Sequence, residues 1–220
     1  MRILLSAFEP FGGAARNASA DVLRLLLDRE RGVELRAVFL PTAFDAAAGR
    51  LLVEVERVRP AAVICLGEAR GRSKLSMERV AVNLDDARIP DNQGFQPLDR
   101  AIRTHGPAAY FSTLPVRAMR DAAEAAGVPA ELSYTAGTFV CNHVMYALLD
   151  GLAQRAAEER SDVDSPEVSD NGRTGCAAWA SRCLGGFIHI PVCREGEEKR
   201  GVPDLAACCR GLEAAISCLQ

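Results

Sequence analysis

Short apolar runs alternate with amphipathic segments along most of the chain, and this alternation limits the folds available to it. The strand-like runs are residues 2–7, 33–40, 62–66, 79–84, 109–113, 130–134 and 186–191. Apolar residues repeat with a period near 3.6, as in a helix, in residues 19–30, 43–58, 116–126, 139–159 and 204–219. This pattern predicts an α/β protein, a three-layer α/β/α sandwich with a twisted, largely parallel (mixed) central sheet.

Composition narrows the class of protein further. Of 220 residues, 49% are apolar, which is enough for one sizeable core, so we expect a single domain over residues 1–220. The net charge of −3 and the lack of a Lys/Arg cluster do not favour nucleic-acid binding. No signal-like start and no apolar run of about 18 residues are found, so we expect a cytoplasmic protein that does not enter a membrane.

The connections between these elements are unusually rich in Gly, Pro and polar residues. FEPFGG, GEARGR and DDARIPDNQG follow strands, and TAGTFVCN leads from a strand into a helix. Because ligands of such sheets bind at the carboxyl ends of strands, we interpret these segments as active-site loops. Residues 160–182 are rich in Ser, Asp, Glu and Gly, and we expect a long, mobile surface loop inserted into the domain there.

One of the eight cysteines stands out by its position. The absence of a secretory signal and of a CxxC pair argues against a disulfide framework and against a zinc site, so a small buried hydrophobe is the default for each. Cys141, however, lies in the first turn of a predicted helix. There, unpaired N–H groups and the positive end of the helix dipole favour a thiolate and can stabilise an oxyanion.

A thiolate nucleophile needs a base, and the chain has three histidines. His143 lies two positions along the same helix as Cys141, so it points about 200° away and fits a packing role. His105, in the loop RTHGP, fits a surface residue. His189 lies in the apolar strand GGFIHIPV, which would hold its ring rigidly. By elimination, His189 is the candidate partner of Cys141.

The carboxylate that would orient this imidazole is less well determined. Glu78, at the start of MERVAVN, enters an apolar strand, where a carboxylate is costly unless it is paired; an exposed strand end is the alternative. Asp85 and Asp86 compete, although they fit loop closure better. Spacing alone also leaves paired carboxylates for glycosidase chemistry open. Nucleotide binding is disfavoured because neither GxGxxG nor GxxxxGK[ST] occurs.

Five motifs together resemble the pyroglutamyl-peptidase I family, also called pyrrolidone-carboxylate peptidase. They are FEPFGG with Asn17 downstream, GRSKLSMERVAVNLDDARIPDNQG, AYFSTLP, AGTFVCNHVMY and GFIHIPV, and the similarity runs over residues 1–152 and resumes at residue 186. The resemblance implies a cysteine exopeptidase that acts on N-terminally pyroglutamylated peptides without a metal or other cofactor. A homo-oligomer, either a dimer or a tetramer, is a further expectation from the family.

Carried onto this sequence, the family's catalytic triad falls on Glu78, Cys141 and His189. The resemblance implies that Arg88 and the backbone N–H of Cys141 hold the oxyanion. The implied substrate-binding residues are Phe8, Phe11, Asn17, Thr42, Glu68, Ile89, Phe139 and Val140. Aromatic walls and a few placed hydrogen bonds suit a flat, uncharged lactam ring.

The chain departs from the family pattern in two places. Gln is common in the family at the position of Glu68, so we expect an added negative charge near the pocket. The spacing between Cys141 and His189 exceeds that of typical members because of residues 160–182. A non-catalytic pyroglutamyl-binding or scaffold protein on the same fold is the alternative in another class, and the intact triad argues against it.

Overall fold

The computed structural model describes residues 1–29, 32–163, 178–193 and 201–219. Within these ranges the strands are β1 (Arg2–Phe8), β2 (Glu34–Leu40), β3 (Ala62–Ala69), β4 (Leu75–Glu78), β5 (Val80–Val82), β6 (Ala109–Phe111), β7 (Ala130–Ser133) and β8 (Leu184–Pro191). The helices are α1 (Ala18–Leu27), α2 (Phe44–Val58), α3 (Val116–Ala125), α4 (Val140–Val163) and α5 (Leu205–Ser217), with a 3₁₀ turn at Ala180–Arg182.

Six of these strands form one mixed central sheet in the order β2-β1-β3-β8-β4-β7. The strands β2, β1, β3 and β8 are parallel, whereas β4 pairs antiparallel with β8 and parallel with β7. Helix α2 packs with α4, and α5 packs with α1 and α3. These two helix layers cover opposite faces of the sheet, so the predicted three-layer α/β/α sandwich is confirmed.

Strand β3 shows why the sheet is buried on both faces. Its alternate residues Ile64 and Leu66 pack in the core that includes α1, α3 and α5, and Val63 and Cys65 pack in the core that includes α2 and α4. All four are fully buried or nearly so. A strand that is covered by helices on both sides has a continuous apolar sequence, and residues 62–66 show this pattern.

One predicted strand, residues 79–84, needs correction. The chain forms β4 up to Glu78 in the central sheet, and only Val80–Val82 continues as β5, which pairs with β6 in a separate two-stranded sheet. The break falls at Arg79, whose N–H donates to the Ser133 carbonyl at 2.8 Å and whose carbonyl accepts from the Ser112 N–H at 2.9 Å. Glu78 therefore ends a strand of the central sheet and does not start an outer one.

Strand β4 was not visible in the sequence because half of it is polar. Leu75 and Met77 face one core, while Ser76 and Glu78 face the other side of the sheet. Such an alternating pattern over four residues is too short to stand out from a polar loop.

The segment predicted as a long loop, residues 160–182, is described at its two ends. Helix α4 continues to Val163, and Ala180–Arg182 forms the 3₁₀ turn. Residues 164–177 lie outside the described residues. In the part of the chain that the structure describes, no helix is long and apolar enough to cross a membrane.

The close packing of β8 gives a test of the fold. A Cβ added at Gly186 would lie 2.7 Å from the Leu114 Cδ1 atom and would touch the Ser112 hydroxyl. We therefore expect Gly186→Ala to lower the free energy of unfolding by about 1–3 kcal/mol, measured by urea denaturation.

The matched control is Gly49→Ala in α2, where the added methyl group meets no atom within 4 Å. This change should raise the free energy of unfolding by up to about 1 kcal/mol through helix propensity. Equal effects of the two substitutions would contradict the packing of β8 described above.

Candidate active site

A cavity of about 250 Å³ opens where β1, β3 and the loop after β5 meet the start of α4. Its lining residues are Phe8, Phe11, Arg16, Asn17, Thr42, Glu68, Arg70, Arg88, Ile89, Phe139, Val140 and Cys141. The structure thus brings together every substrate-binding and oxyanion residue expected from the sequence. Arg16 and Arg70 also line the cavity, and sequence reasoning had missed them.

Aromatic rings form much of the cavity wall and its support. Phe11 and Phe139 lie with ring centroids 5.1 Å apart, and Phe44 packs edge-on behind Phe139 at 5.2 Å. Phe8 is buried and its ring centroid lies 6.3 Å from that of Phe187 in β8. Rings packed in this way keep the wall rigid and apolar.

Asn17 fixes the first active-site loop as well as lining the cavity. Its Oδ1 accepts from the Ser19 N–H at 3.0 Å, which caps α1. Its Nδ2 donates to the Glu9 carbonyl at 3.1 Å, and the Thr42 hydroxyl donates to the same carbonyl at 3.0 Å. The loop FEPFGG is therefore tied to the starts of both α1 and α2.

Arg88 and Ile89 lie on the loop between β5 and β6 and are both exposed at the mouth of the cavity. Backbone bonds anchor this loop, because the Ala87 N–H donates to the Pro97 carbonyl at 2.8 Å. The Asp91 carboxylate accepts from the Gln93 N–H at 2.8 Å. These hydrogen bonds fix the backbone of the loop that carries Arg88 and Ile89.

Cys141 is the second residue of α4, in the first turn, as the sequence predicted. The neighbouring Asn142 side chain holds β5 through bonds to the N–H and the carbonyl of Val82, both at 2.9 Å. A Cβ placed on Gly67 would lie 3.1 Å from the Cys141 Sγ atom. The sulfur therefore packs against β3 at Gly67, where an added Cβ would crowd the sulfur and would clash with the Phe187 ring at 2.7 Å.

His189 reaches the same face of the sheet from the next strand. It pairs with Gly67 across β3 and β8, so its side chain points to the side where α4 and Cys141 lie. Its Nδ1 atom lies 2.7 Å from Oε1 of Glu78, and both side chains are buried. The structure therefore places His189 and Glu78 in contact on the face of the sheet where Cys141 lies, and the alternative of an exposed Glu78 is wrong.

Burial sets the charge state of the thiol and the imidazole. It raises the pKa of Cys141 to about 12, helped by the negative charge of Glu78, whereas Arg72 and the residue's own backbone N–H act in the opposite direction. Burial also lowers the pKa of His189, against the effect of its bond to Glu78. Both shifts favour a thiol and a neutral imidazole at neutral pH, because desolvation acts against the helix dipole that favours a thiolate.

The other histidines play the roles expected from the sequence. His143 is buried and its Nδ1 lies 3.0 Å from both carboxylate oxygens of Asp85, which also pairs with Arg100 at 2.8 Å. His105 is exposed in a loop. Asp86 closes the loop before α4, because its backbone N–H donates to the Thr138 carbonyl at 3.0 Å.

Glu68, where the family commonly has Gln, has a local partner for its charge. One carboxylate oxygen accepts from the Ala18 N–H in the first turn of α1 at 2.8 Å, and the other lies 3.7 Å from Nε of Arg70. The positive end of a helix and a guanidinium both stabilise a carboxylate. The added charge near the pocket thus stabilises α1.

None of the remaining cysteines forms a disulfide in the part of the chain that the structure describes, and Cys176 lies outside it. Cys65, Cys208 and Cys209 are fully buried, as expected for small apolar residues. Within the described residues, no group of three or more His, Cys, Asp and Glu side chains could hold a metal ion.

A thiol at a helix start, with an imidazole on the same face of the sheet and a buried carboxylate bonded to that imidazole, is an arrangement found in cysteine hydrolases as a class. An apolar cavity with a few polar groups, next to the thiol, is typical of a small-ligand site.

Comparisons with known proteins define the family within this class. The family model for pyroglutamyl peptidases matches residues 1–163. A pyrrolidone-carboxylate peptidase of Gloeobacter violaceus is 43% identical over 224 residues, covering 100% of this chain and 97% of that protein. One of Streptococcus pyogenes serotype M1 is 42% identical over 219 residues, covering 98% and 91%.

The fold agrees with these matches. The crystal structure of Bacillus amyloliquefaciens pyroglutamyl peptidase I superposes with a TM-score of 0.79 at 35% identity, covering 97% of this chain and 94% of that chain. Pyrrolidone carboxyl peptidase from Thermococcus litoralis gives a TM-score of 0.76 at 31% identity, covering 98% and 91%. The chain therefore belongs to the pyroglutamyl peptidase family, and the family prediction is confirmed.

The contact between Glu68 and α1 can be tested by substitution. Glu68→Gln keeps an acceptor for the Ala18 N–H but removes the charge at the helix start, so the free energy of unfolding should fall by about 0.3–1 kcal/mol. Glu68→Ala also removes the acceptor and should cost about 1–3 kcal/mol. Urea denaturation at low salt measures both, and unchanged stability in Glu68→Ala would contradict the contact.

The protonation state of Cys141 is testable by its alkylation with iodoacetamide, followed by mass spectrometry of the peptide that contains it. Because burial raises the pKa of the thiol to about 12, the thiolate fraction and hence the rate should climb steadily from pH 6 to pH 9. Cys65, fully buried, is an internal control that stays unmodified. A rate that is already constant from pH 6 would indicate a resting thiolate.

Proposed function

We propose that this protein is a pyroglutamyl peptidase I, a cysteine exopeptidase that hydrolyses the bond after an N-terminal pyroglutamyl residue of a peptide. One observation carries the proposal: in a chain of this family, the thiol of Cys141 lines an aromatic cavity. On the same face of the sheet, Nδ1 of His189 lies 2.7 Å from Oε1 of Glu78. No metal or organic cofactor enters the proposed reaction.

The cavity suits the pyroglutamyl ring. Phe11 and Phe139 offer apolar surfaces to a flat, uncharged lactam. The Asn17 amide carries two N–H donors, one of which donates to the Glu9 carbonyl, so the other can serve the lactam carbonyl. An aminopeptidase would need a carboxylate for a free amine, but the carboxylate of Glu68 is bonded to the start of α1.

Acylation begins when the Cys141 sulfur attacks the pyroglutamyl carbonyl. Because the thiol is protonated at rest, His189 takes its proton as the carbon–sulfur bond forms, and Glu78 stabilises the resulting imidazolium. The negative charge on the carbonyl oxygen is held by the backbone N–H of Cys141, at the start of α4, and by Arg88 at the cavity mouth.

The tetrahedral intermediate then collapses. His189 returns its proton to the leaving amine, which departs with the rest of the peptide and leaves a thioester on Cys141. A water molecule, deprotonated by His189, attacks the thioester carbonyl and releases free pyroglutamate together with the thiol. The same imidazole thus acts as base and acid in both half-reactions.

The proposed nucleophile is tested with a pyroglutamyl-linked fluorophore. Wild-type protein should release the fluorophore, and Cys141→Ala and Cys141→Ser should reduce the rate by at least about 10⁴-fold, because no other group forms the acyl intermediate. Cys218→Ala, which removes another thiol with some exposure, is the matched control and should keep full activity.

Specificity is tested in the same assay. The prolyl-linked fluorophore lacks the lactam carbonyl and carries a charged ring nitrogen, so its kcat/KM should be lower by about 10⁴-fold or more. Substantial turnover by Cys141→Ala would overturn the nucleophile. Inert pyroglutamyl substrates would instead favour a binding or scaffold protein on this fold.

Three expectations from the sequence stay predictions beside this proposal: a single domain over residues 1–220, a cytoplasmic location, and assembly as a homo-oligomer, either a dimer or a tetramer. Light scattering of the purified protein would determine the last of these.

A further inference from the structure

Arg72 lies beside the proposed triad and has no part in the mechanism above. Its Nη1 lies 2.6 Å from Oε1 of Glu78, the same oxygen that bonds His189. Its Nη2 donates to the Thr135 carbonyl at 3.0 Å, in the segment between β7 and α4. The side chain therefore connects the loop after β3 to the triad carboxylate and to the approach to the helix that carries Cys141.

The loop GEARGR is shaped to deliver this side chain. Gly71 adopts a φ of +87°, a conformation that side chains rarely permit, and the Arg72 N–H closes a turn onto the Ala69 carbonyl at 3.4 Å. The turn directs the guanidinium back toward Glu78, six positions further along the chain. Only a quarter of the Arg72 side chain is exposed, so its charge acts at close range.

Glu78 needs such a neighbour. Its side chain is fully buried, and within the described residues its second oxygen, Oε2, has no hydrogen-bond partner. Burying a carboxylate is costly unless a cation or hydrogen bonds compensate for the lost hydration. The neutral His189 at rest supplies a hydrogen bond but no charge, so Arg72 is the cation in contact with Glu78.

We infer that Arg72 is a positioning residue of the catalytic site, which holds the Glu78 carboxylate aimed at His189 during acylation and compensates for its buried negative charge. The inference rests on the proposed function and deepens it. The groups around Glu78 are His189 on β8, Cys141 on α4, Arg72 on the loop, and Glu131 on β7, which is bonded to Ser76 at 2.9 Å. Arg72 is the only permanent cation that contacts the carboxylate among the described residues.

The test compares Arg72→Met with Arg72→Lys on a pyroglutamyl-linked fluorophore. Arg72→Met should lower kcat by about 10- to 100-fold, the effect of losing a bond to a charged group. KM should change by less than about threefold, because Arg72 does not line the cavity. The acid limb of the kcat/KM profile should move to higher pH, because the charge of Arg72 lowers the pKa of the His189 base and its loss should raise that pKa.

Arg72→Lys keeps the charge, although it cannot bond Glu78 and Thr135 together, so it should recover most of the lost kcat and the wild-type acid limb. The matched control is Arg57→Met, which removes an arginine paired with Glu54 at 2.7 Å on the surface of α2 and should leave kcat and the profile unchanged.

A double-mutant cycle separates positioning from a merely structural role. In a Glu78→Gln background, Arg72→Met should cost less than about threefold, because no carboxylate remains for Arg72 to hold. An equal loss in both backgrounds with an unmoved acid limb would overturn the inference, and so would full activity of Arg72→Met.

Failure of the proposed function has a different signature. If wild-type protein does not turn over the pyroglutamyl substrate, NMR of the His189 ring still tests Arg72, and only three histidines need assignment. The carbon-bound ring protons of His189 should titrate at a higher pH in Arg72→Met than in wild type, because the charge of Arg72 lowers the pKa of this imidazole. Identical behaviour of the two proteins would overturn the inference.

Discussion

The site is organised around a single carboxylate buried in the central sheet. Glu78 is fully buried at the end of β4, and its Oε1 atom accepts from both His189 and Arg72. These bonds need β4 to lie antiparallel beside β8, at the point where the direction of the sheet reverses. The same register points the Glu78 and His189 side chains to the face covered by α4, whose first turn carries Cys141.

Around Glu78, hydrogen bonds connect loops that are far apart in the sequence. Asn142 ties the start of α4 to β5, and Thr138 ties the segment before α4 to the loop that carries Arg88. Asn17 and Thr42 share the Glu9 carbonyl. Because each loop is held by another, the cavity is preorganised for a rigid ring, and little ordering entropy remains to be lost on binding.

Much of this arrangement could be predicted from the sequence, and the rest fails for physical reasons. Apolar periodicity indicated the helices and the buried strands, and elimination led to His189 as the partner of Cys141. Burial of Glu78 and the pairing of β4 with β8 depend on long-range register, which local pattern does not contain. The effect of desolvation on the pKa of Cys141 could not be predicted, because desolvation depends on the whole fold. Arg72 was missed because an arginine in a polar loop looks like a solvated one.

In the proposed reaction, Cys141 is activated by His189 and Glu78 and forms a thioester with the pyroglutamyl group. Its most direct test is an acid quench during turnover of a pyroglutamyl substrate, followed by mass spectrometry of the intact protein and of its peptides. We expect one added pyroglutamyl group, located on the peptide that contains Cys141. Turnover with the acyl group on another residue would contradict it.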